Sequence, residues 1–162
     1  MSETLSNFAD ARVAGVVLAG GLGRRMGGVD KGLRPLRGKP MVQWVLERLS
    51  PQVDEVLINA NRHLEEYSAF GCQVIPDRIG GFAGPLAGLH AALSATSLPL
   101  VATAPCDSPF LPADLVARLK QALFERRADL ATVRAGMLTH PVFCICRRSV
   151  LPGLSAFLAQ GG

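Results

Sequence analysis

Residues 18–32, which are rich in glycine and positive charge, carry the clearest chemical signal in the chain. They include six glycines, two arginines and one lysine, and they follow the apolar run 13–17. Glycine lets the backbone approach a ligand closely, and several N–H groups in one concavity bind an anion together with Arg and Lys charges. The stretch therefore predicts a phosphate-binding loop at the carboxyl end of a first strand, where open α/β sheets bind ligands.

Two common phosphate loops do not fit this stretch. The dinucleotide pattern G-x-G-x-x-G fails because Met26 stands at the third glycine position. The pattern G-x-x-x-x-G-K-[ST] fails because Lys31 follows Asp30 and is itself followed by glycine rather than Ser or Thr. The loop is therefore predicted to belong to another class of nucleotide-binding site.

Polar residues follow three further apolar runs at the point where each predicted strand ends. Asn59, Asp77 and Asp107 hold these positions. A parallel arrangement brings such ends to one edge of a sheet, so these side chains are expected at one site with the first loop. Magnesium prefers one or two carboxylates plus substrate phosphates, and Asp107 is the predicted metal ligand.

The cations of the first loop complete the predicted site. Arg25 and Lys31 are the positive charges most suited to a triphosphate, and Arg24 is adjacent, although only one of the two arginines need point inward. Asp30 is interpreted either as a second carboxylate or as a residue that orients Lys31. Asn59 and Asp77 can make directed hydrogen bonds to a base or a ribose.

The rest of the pattern predicts the elements that position these residues. Apolar runs alternate with segments whose apolar residues recur at helical spacing, and prolines stand at several predicted helix starts. This alternation indicates a three-layer α/β/α domain with a mostly parallel central sheet. The predicted strands are 13–17, 54–61, 72–77, 98–104, 129–133 and 140–146, and the predicted helices begin near residues 40, 64, 85, 112 and 149.

Composition bounds the class of protein. The chain has 162 residues, of which 49% are hydrophobic and 19% charged, so it is expected to form one globular domain. Its net charge of +4 suits an anionic ligand but is modest. No basic run with interleaved aromatic residues is present, which gives little support to nucleic-acid binding. No apolar run reaches the roughly 18 residues of a membrane helix.

The cysteines and the first residues indicate a compartment. The four cysteines show no C-x-x-C spacing, so buried free thiols in a reducing compartment, most simply the cytoplasm, are expected. Residues 1–12 lack the apolar core of a signal peptide and are interpreted as a flexible leader. Residues 13–162 are expected to form the single domain.

The pattern L-A-G-G-x-x-x-R-M-G-G-x-D-K in residues 18–31 resembles the signature of molybdenum cofactor guanylyltransferases, within the wider nucleotidyltransferase group. The resemblance runs from about Val13 to Val142. It also includes three further stretches: 58–63, 84–89 and 105–109. It implies a Rossmann-like nucleotidyltransferase domain that transfers GMP from GTP to the molybdopterin-bound cofactor and releases pyrophosphate.

The resemblance also implies residue roles. Leu18, Ala19, Gly20 and Gly21 would lie by the guanine base, and Lys31 would reach the phosphates. The positions of Asn59 and Asp77 would help to bind the nucleotide, and that of Asp107 would bind Mg²⁺. His140, which precedes a proline, matches a His-Pro found in the family near the second substrate. Molybdoenzyme maturation proteins are a further class of expected partner.

The sequence leaves two alternatives open. One is a related nucleotidyltransferase that uses CTP or a sugar 1-phosphate, although relatives that take CTP tend to carry Ala-Ala-Gly where this chain has the Leu-Ala-Gly-Gly of residues 18–21. The other is a non-catalytic guanine-nucleotide-binding module. Family members usually continue about thirty residues further with an Asn-x-Asn-Thr-Pro segment, so the chain is expected to lack its C-terminal segment. Whether these 162 residues are active by themselves is therefore an open question.

Overall fold

Apolar strands and amphipathic helices alternate along the chain, as the periodicity predicts. The computed structural model describes residues 8, 10–21, 29–80 and 84–162. The described strands are β1 (Val13–Leu18), β2 (Pro35–Leu36), β3 (Lys39–Pro40), β4 (Glu55–Asn59), β5 (Gln73–Ile75), β6 (Leu100–Pro105), β7 (Leu130–Ala135) and β8 (Leu138–Arg147). The described α-helices are α1 (Met41–Leu49), α2 (Leu64–Ser68), α3 (Gly84–Ala95), α4 (Leu115–Glu125) and α5 (Leu151–Ala159).

Six of the described strands form one mixed sheet in the order β5-β4-β1-β6-β8-β7. The four strands β5, β4, β1 and β6 run parallel, whereas β8 is antiparallel to β6 and pairs with β7 in a hairpin. The strand β1 lies between β4 and β6 and is almost entirely buried, which explains its continuous apolar sequence. This arrangement confirms the predicted mostly parallel sheet.

Two apolar clusters, one on each face of the sheet, make the three layers. One face packs against α1, α2 and α4 through residues such as Val45, Tyr67 and Leu119. The other face packs against α3, with Leu89 and Leu93 in its cluster, and partly buried residues of α5 lie against it. The predicted α/β/α layering is therefore confirmed. Among the described helices, none is both long and apolar enough to cross a bilayer.

Some element boundaries differ from the sequence prediction. The helix predicted to start near residue 85 begins at Gly84, and its buried residues begin at Ala87, so that Leu86 is 40% exposed. The helix predicted from residue 112 begins at Leu115, after a turn in which Leu115 N donates to Pro112 O. The strand expected from His140 begins at Leu138, where the β7–β8 turn ends.

A small hairpin of β2 and β3 between the first loop and α1 was not expected. Arg37 and Gly38 form its turn with φ values of 51° and 86°. Positive φ at both central residues is the geometry of a tight two-residue hairpin. Trp44 of α1 donates from Nε1 to Leu36 O at 2.9 Å, so the hairpin is held against the helix that follows it.

Candidate functional site at the carboxyl edge of the sheet

The ends of β4, β1 and β6 lie level with one another. Leu18, the last residue of β1, is in register with Asn59 of β4 and with Pro105 of β6. Two backbone bonds continue this alignment past the strand ends, from Ala19 N to Asn59 O (2.8 Å) and from Cys106 N to Leu18 O (3.1 Å). The structure thus brings the start of the first loop, at residues 18–19, and the ends of β4 and β6 to the same edge.

Asn59 and Asp77 are joined directly at this edge. Asn59 is 2% exposed, and its Nδ2 donates to Asp77 Oδ1 at 2.8 Å and to Ile75 O at 3.2 Å. A second asparagine, Asn61, donates from Nδ2 to Asp77 Oδ2 at 2.9 Å and accepts from Asp77 N at Oδ1 at 2.8 Å. The carboxylate is therefore fixed by three hydrogen bonds between its residue and the two asparagines.

The same asparagines reach the first loop. Asn61 Nδ2 lies 3.2 Å from Gly20 O, and Arg62 Nη2 donates to Gly21 O at 3.4 Å. A Cβ on Gly20 would lie 2.8 Å from Asn59 Oδ1, so only glycine fits there without displacing the asparagine. The backbone of residues 20–21 is consequently held against the Asn59–Asp77 pair.

The helix α3 closes this side of the site through Gly88. A Cβ at that position would lie 2.5 Å from Asn59 Oδ1 and 2.7 Å from Leu18 Cδ2. The helix backbone therefore lies directly on the ends of β1 and β4. This close approach of the backbone buries the Asn59 side chain and restricts it to one orientation.

On the other side of β1, Lys31 and Asp107 form an ion pair. Lys31 Nζ lies 3.6 Å from Asp107 Oδ2, and the two side chains are 45% and 37% exposed. Lys31 belongs to a 3₁₀ turn, Lys31–Leu33, whose N-terminus is capped by Asp30 Oδ1 accepting from Gly32 N at 3.1 Å. Exposed ion pairs of this kind add little to stability. An anionic ligand can therefore bind Lys31 in place of Asp107 at little cost in stability.

The cysteine beside Asp107 is a packing residue. Cys106 is 8% exposed, and its burial, with the Asp107 and Asp30 charges, raises the pKa of its thiol to about 12. A thiol with such a pKa is protonated at neutral pH and is a poor nucleophile. Cys144 and Cys146 are also buried free thiols, as predicted, whereas Cys72 is half-buried.

The residues present suit a metal ion that is held jointly with phosphate. In the described part of the chain, no group of three or more His, Cys, Asp or Glu side chains is placed to bind a metal. One partly exposed carboxylate, Asp107, stands at the strand end with a cation beside it. This set fits a hard cation that takes one or two protein carboxylates and completes its shell with phosphate oxygens and water.

The structure does not test two of the sequence predictions. Arg25 and Arg24 lie outside the described residues, so their proposed contact with phosphate stays a prediction. His140 lies within β8 opposite Val133, in the part of that strand that extends beyond its pairing with β6. Its expected relation to a second substrate also stays a prediction.

Several residues of this edge were not singled out by the sequence analysis. Asn61 repeats the asparagine of position 59 two residues later, and this repetition at a strand end was the available signal. Gly88 lies in the family-like stretch 84–89, which was its available signal. Tyr67 had none, because its importance comes from contacts with residues distant in sequence.

Comparisons with known proteins identify the family of this chain. Residues 15–162 match the family described as the MobA-like NTP transferase domain. The molybdenum cofactor guanylyltransferase of Cupriavidus necator is 51% identical over 155 residues, which cover 93% of this chain and 78% of that protein.

Solved structures share the fold. The molybdopterin-guanine dinucleotide biosynthesis protein A from Archaeoglobus fulgidus aligns with a TM-score of 0.73 and 26% identity, over 91% of this chain and 74% of that one. A Mycobacterium tuberculosis protein solved in complex with manganese aligns with a TM-score of 0.67 and 19% identity, over 89% and 75% of the two chains. From the family match and the identity to its curated relatives, the chain belongs to the MobA-like nucleotidyltransferases and, among them, to the molybdenum cofactor guanylyltransferase family.

Proposed function

We propose that this protein transfers GMP from GTP to the molybdopterin-bound molybdenum cofactor and releases pyrophosphate. The observation that carries the proposal is the edge of the sheet itself: a fixed carboxylate at Asp77 on one side of β1 and the Lys31–Asp107 pair on the other. One side suits a base and the other a triphosphate. The name of the relatives favours GTP over CTP and the cofactor over a sugar phosphate.

The base would lie by Asp77 and the backbone of residues 18–21. Guanine presents N–H groups that can donate hydrogen bonds to a carboxylate, together with an acceptor at O6. Each Asp77 oxygen already accepts one amide N–H, and each has a further lone pair for the ligand. Asn59, which is buried and fixed, would act by holding this carboxylate in place.

The triphosphate would lie by Lys31, with Arg25 of the same loop as a second cation. In the reaction, a phosphate oxygen of the cofactor forms a bond to the α-phosphorus of GTP while the bond from that phosphorus to the bridging oxygen breaks. Pyrophosphate leaves with its electron pair. A phosphate monoester is largely anionic near neutral pH, so orientation and charge neutralisation carry the catalysis rather than a strong general base.

Asp107 would hold a divalent cation, proposed to be Mg²⁺, together with phosphate oxygens. When bound, such an ion neutralises charge on the reacting and leaving phosphates. A protein of this fold has been solved with manganese. Lys31, now paired with Asp107, would then turn its charge to the phosphates. Molybdoenzyme maturation proteins as partners, and a cytoplasmic location, stay predictions.

A thermal-shift panel with GTP, CTP, ATP and UTP, each with Mg²⁺, tests the nucleotide. A ligand that binds only the folded protein raises Tm, and at equal concentration the tighter ligand raises it more, so GTP should give the largest shift. The Lys31→Ala variant should keep the Tm of the ligand-free protein, because Lys31 is exposed. It should lose most of the Tm shift caused by GTP, because the proposed contact with the phosphates is removed. A larger shift with CTP would contradict the proposal.

A further inference from the structure

The phenol of Tyr67, the only tyrosine in the chain, lies against the turn that bears Lys31. Tyr67 is fully buried on α2, and its Oη donates to Asp30 Oδ1 at 2.5 Å. The same carboxylate oxygen accepts from Gly32 N at 3.1 Å. A buried phenol requires such a partner, and here the partner is the residue that caps the turn bearing Lys31.

The turn also rests directly on the phenol. A Cβ at Gly32 would lie 2.5 Å from Tyr67 Oη and 3.2 Å from Cys106 Sγ. The backbone of the turn at Gly32 is therefore packed closely against both Tyr67 and Cys106. Cys106 precedes Asp107, so one tightly packed group supports both members of the Lys31–Asp107 pair.

The protonation state of the phenol keeps this contact in one form. Burial, followed by the hydrogen bond to Asp30, raises the pKa of Tyr67 far above its ordinary value. The hydroxyl is therefore a hydrogen-bond donor throughout the pH range in which proteins work. The Asp30 carboxylate remains the acceptor, which favours its interpretation as a residue that orients Lys31.

We propose that Tyr67 is a positioning residue for guanylyl transfer: its hydroxyl fixes the Asp30-capped turn and so directs Lys31 toward Asp107 and the triphosphate. The inference rests on the proposed function, since it assigns the phosphates to Lys31. Tyr67 does not touch the substrate and acts through the turn. Its effect must consequently disappear when Lys31 is absent.

The test is a double-mutant cycle with Tyr67→Phe and Lys31→Ala, read as kcat/KM for GTP in transfer to the cofactor. The phenylalanine keeps the ring and removes the hydroxyl, and loss of orientation should lower kcat/KM about tenfold. In the Lys31→Ala background the same substitution should change kcat/KM by less than about twofold, because residues that act as one unit are non-additive.

Thr96→Val is the matched control for general destabilisation. Thr96 is buried, and its hydroxyl donates to a carboxylate, Glu55 Oε2 at 2.6 Å, at the start of β4 and thus the opposite edge of the sheet. This variant should lower Tm by at least as much as Tyr67→Phe but leave kcat/KM unchanged. Asp30→Asn provides a second variant: it weakens the bond to Tyr67 and should lower kcat/KM only when Tyr67 is present.

The outcomes separate this inference from the proposed function. If Lys31→Ala lowers kcat/KM but Tyr67→Phe lowers it equally in both backgrounds, the positioning role is wrong and the proposed function stands. The same conclusion follows if Tyr67→Phe has wild-type kcat/KM, or if Thr96→Val loses as much activity. If Lys31→Ala leaves kcat/KM unchanged, both the phosphate assignment and the inference are wrong.

Discussion

Two amide side chains fix the carboxylate that we assign to the guanine base. Asn59 and Asn61 each donate to a different oxygen of Asp77, at 2.8 and 2.9 Å. The sequence predicts that Asn59 and Asp77 lie at one edge because both end parallel strands. It did not predict their direct contact, since the pairing depends on the register of β4 with β5, in which Asn59 lies opposite Ile75.

The substitution Asp77→Asn should weaken GTP binding. It replaces one acceptor oxygen with an NH₂ group that faces a donor from one of the two asparagines, and it removes the charge that guanine donors would meet. We expect the GTP dissociation constant, measured by calorimetry, to rise about tenfold or more. This is the change that corresponds to the free energy of one hydrogen bond to a charged group. Asp129→Asn, at an exposed position before β7, is the matched control and should bind GTP normally. Unchanged affinity in Asp77→Asn would contradict the base assignment.

At the scale of elements, the helix α3 determines the shape of the base side. Its apolar stripe predicted a helix packed on the sheet, but not how closely it packs. The separation is set by Gly88, which touches Asn59 and Leu18. The β2–β3 hairpin was missed for a different reason: its turn is Arg37-Gly38 rather than the Asn-Gly or Asp-Gly that signals this geometry, and each strand has only two residues.

A methyl group on Gly88 should therefore separate α3 from the strand ends. Gly88→Ala is expected to lower the free energy of unfolding by about 1–3 kcal/mol through overpacking, and to lower the Tm shift caused by GTP. Gly153→Ala in α5 is the matched control, because a Cβ there meets no atom within 4 Å. It should be neutral or stabilising by up to about 1 kcal/mol. Urea denaturation of both variants checks the prediction, and equal effects would contradict it.

At the scale of the whole molecule, buried groups outside the site affect how stability responds to pH. Burial, and then the neighbouring Cys144, raise the pKa of the fully buried Cys146 thiol from its ordinary value of 9.0 to about 12. The unfolded chain therefore loses this proton first as the pH rises. The stabilisation is complete below pH 9 and is lost between about pH 9 and 12.

The alkaline loss of stability should be shallower in Cys146→Ala. Above pH 9 one such group contributes a slope of up to about 1.4 kcal/mol per pH unit. The free energy of unfolding of the wild type and the variant, measured in urea from pH 7.5 to 10.5, should accordingly converge as the pH rises. Parallel curves would show that Cys146 does not have the raised pKa.

The overall architecture was predictable because alternating apolar strands and helices allow few arrangements. The antiparallel position of β8 next to β6 was not, since its apolar sequence also suits a parallel strand. The long first-loop pattern supplied the family, and the topology explains why the remaining polar residues meet it. Tyr67 lay beyond sequence reasoning because its partner is 37 residues away in the chain.

The central claim is guanylyl transfer at the carboxyl edge of the sheet, and pyrophosphate release from GTP in the presence of the molybdenum cofactor tests it most directly. The wild type should release one pyrophosphate for each guanine dinucleotide formed. The control variant Asp129→Ala, at an exposed position before β7, should release it at the wild-type rate. Asp107→Ala should be slower by about a hundredfold or more, as expected when charge stabilisation at the reacting phosphates is lost. Absence of pyrophosphate release by the wild type, or full activity in Asp107→Ala, would contradict the account.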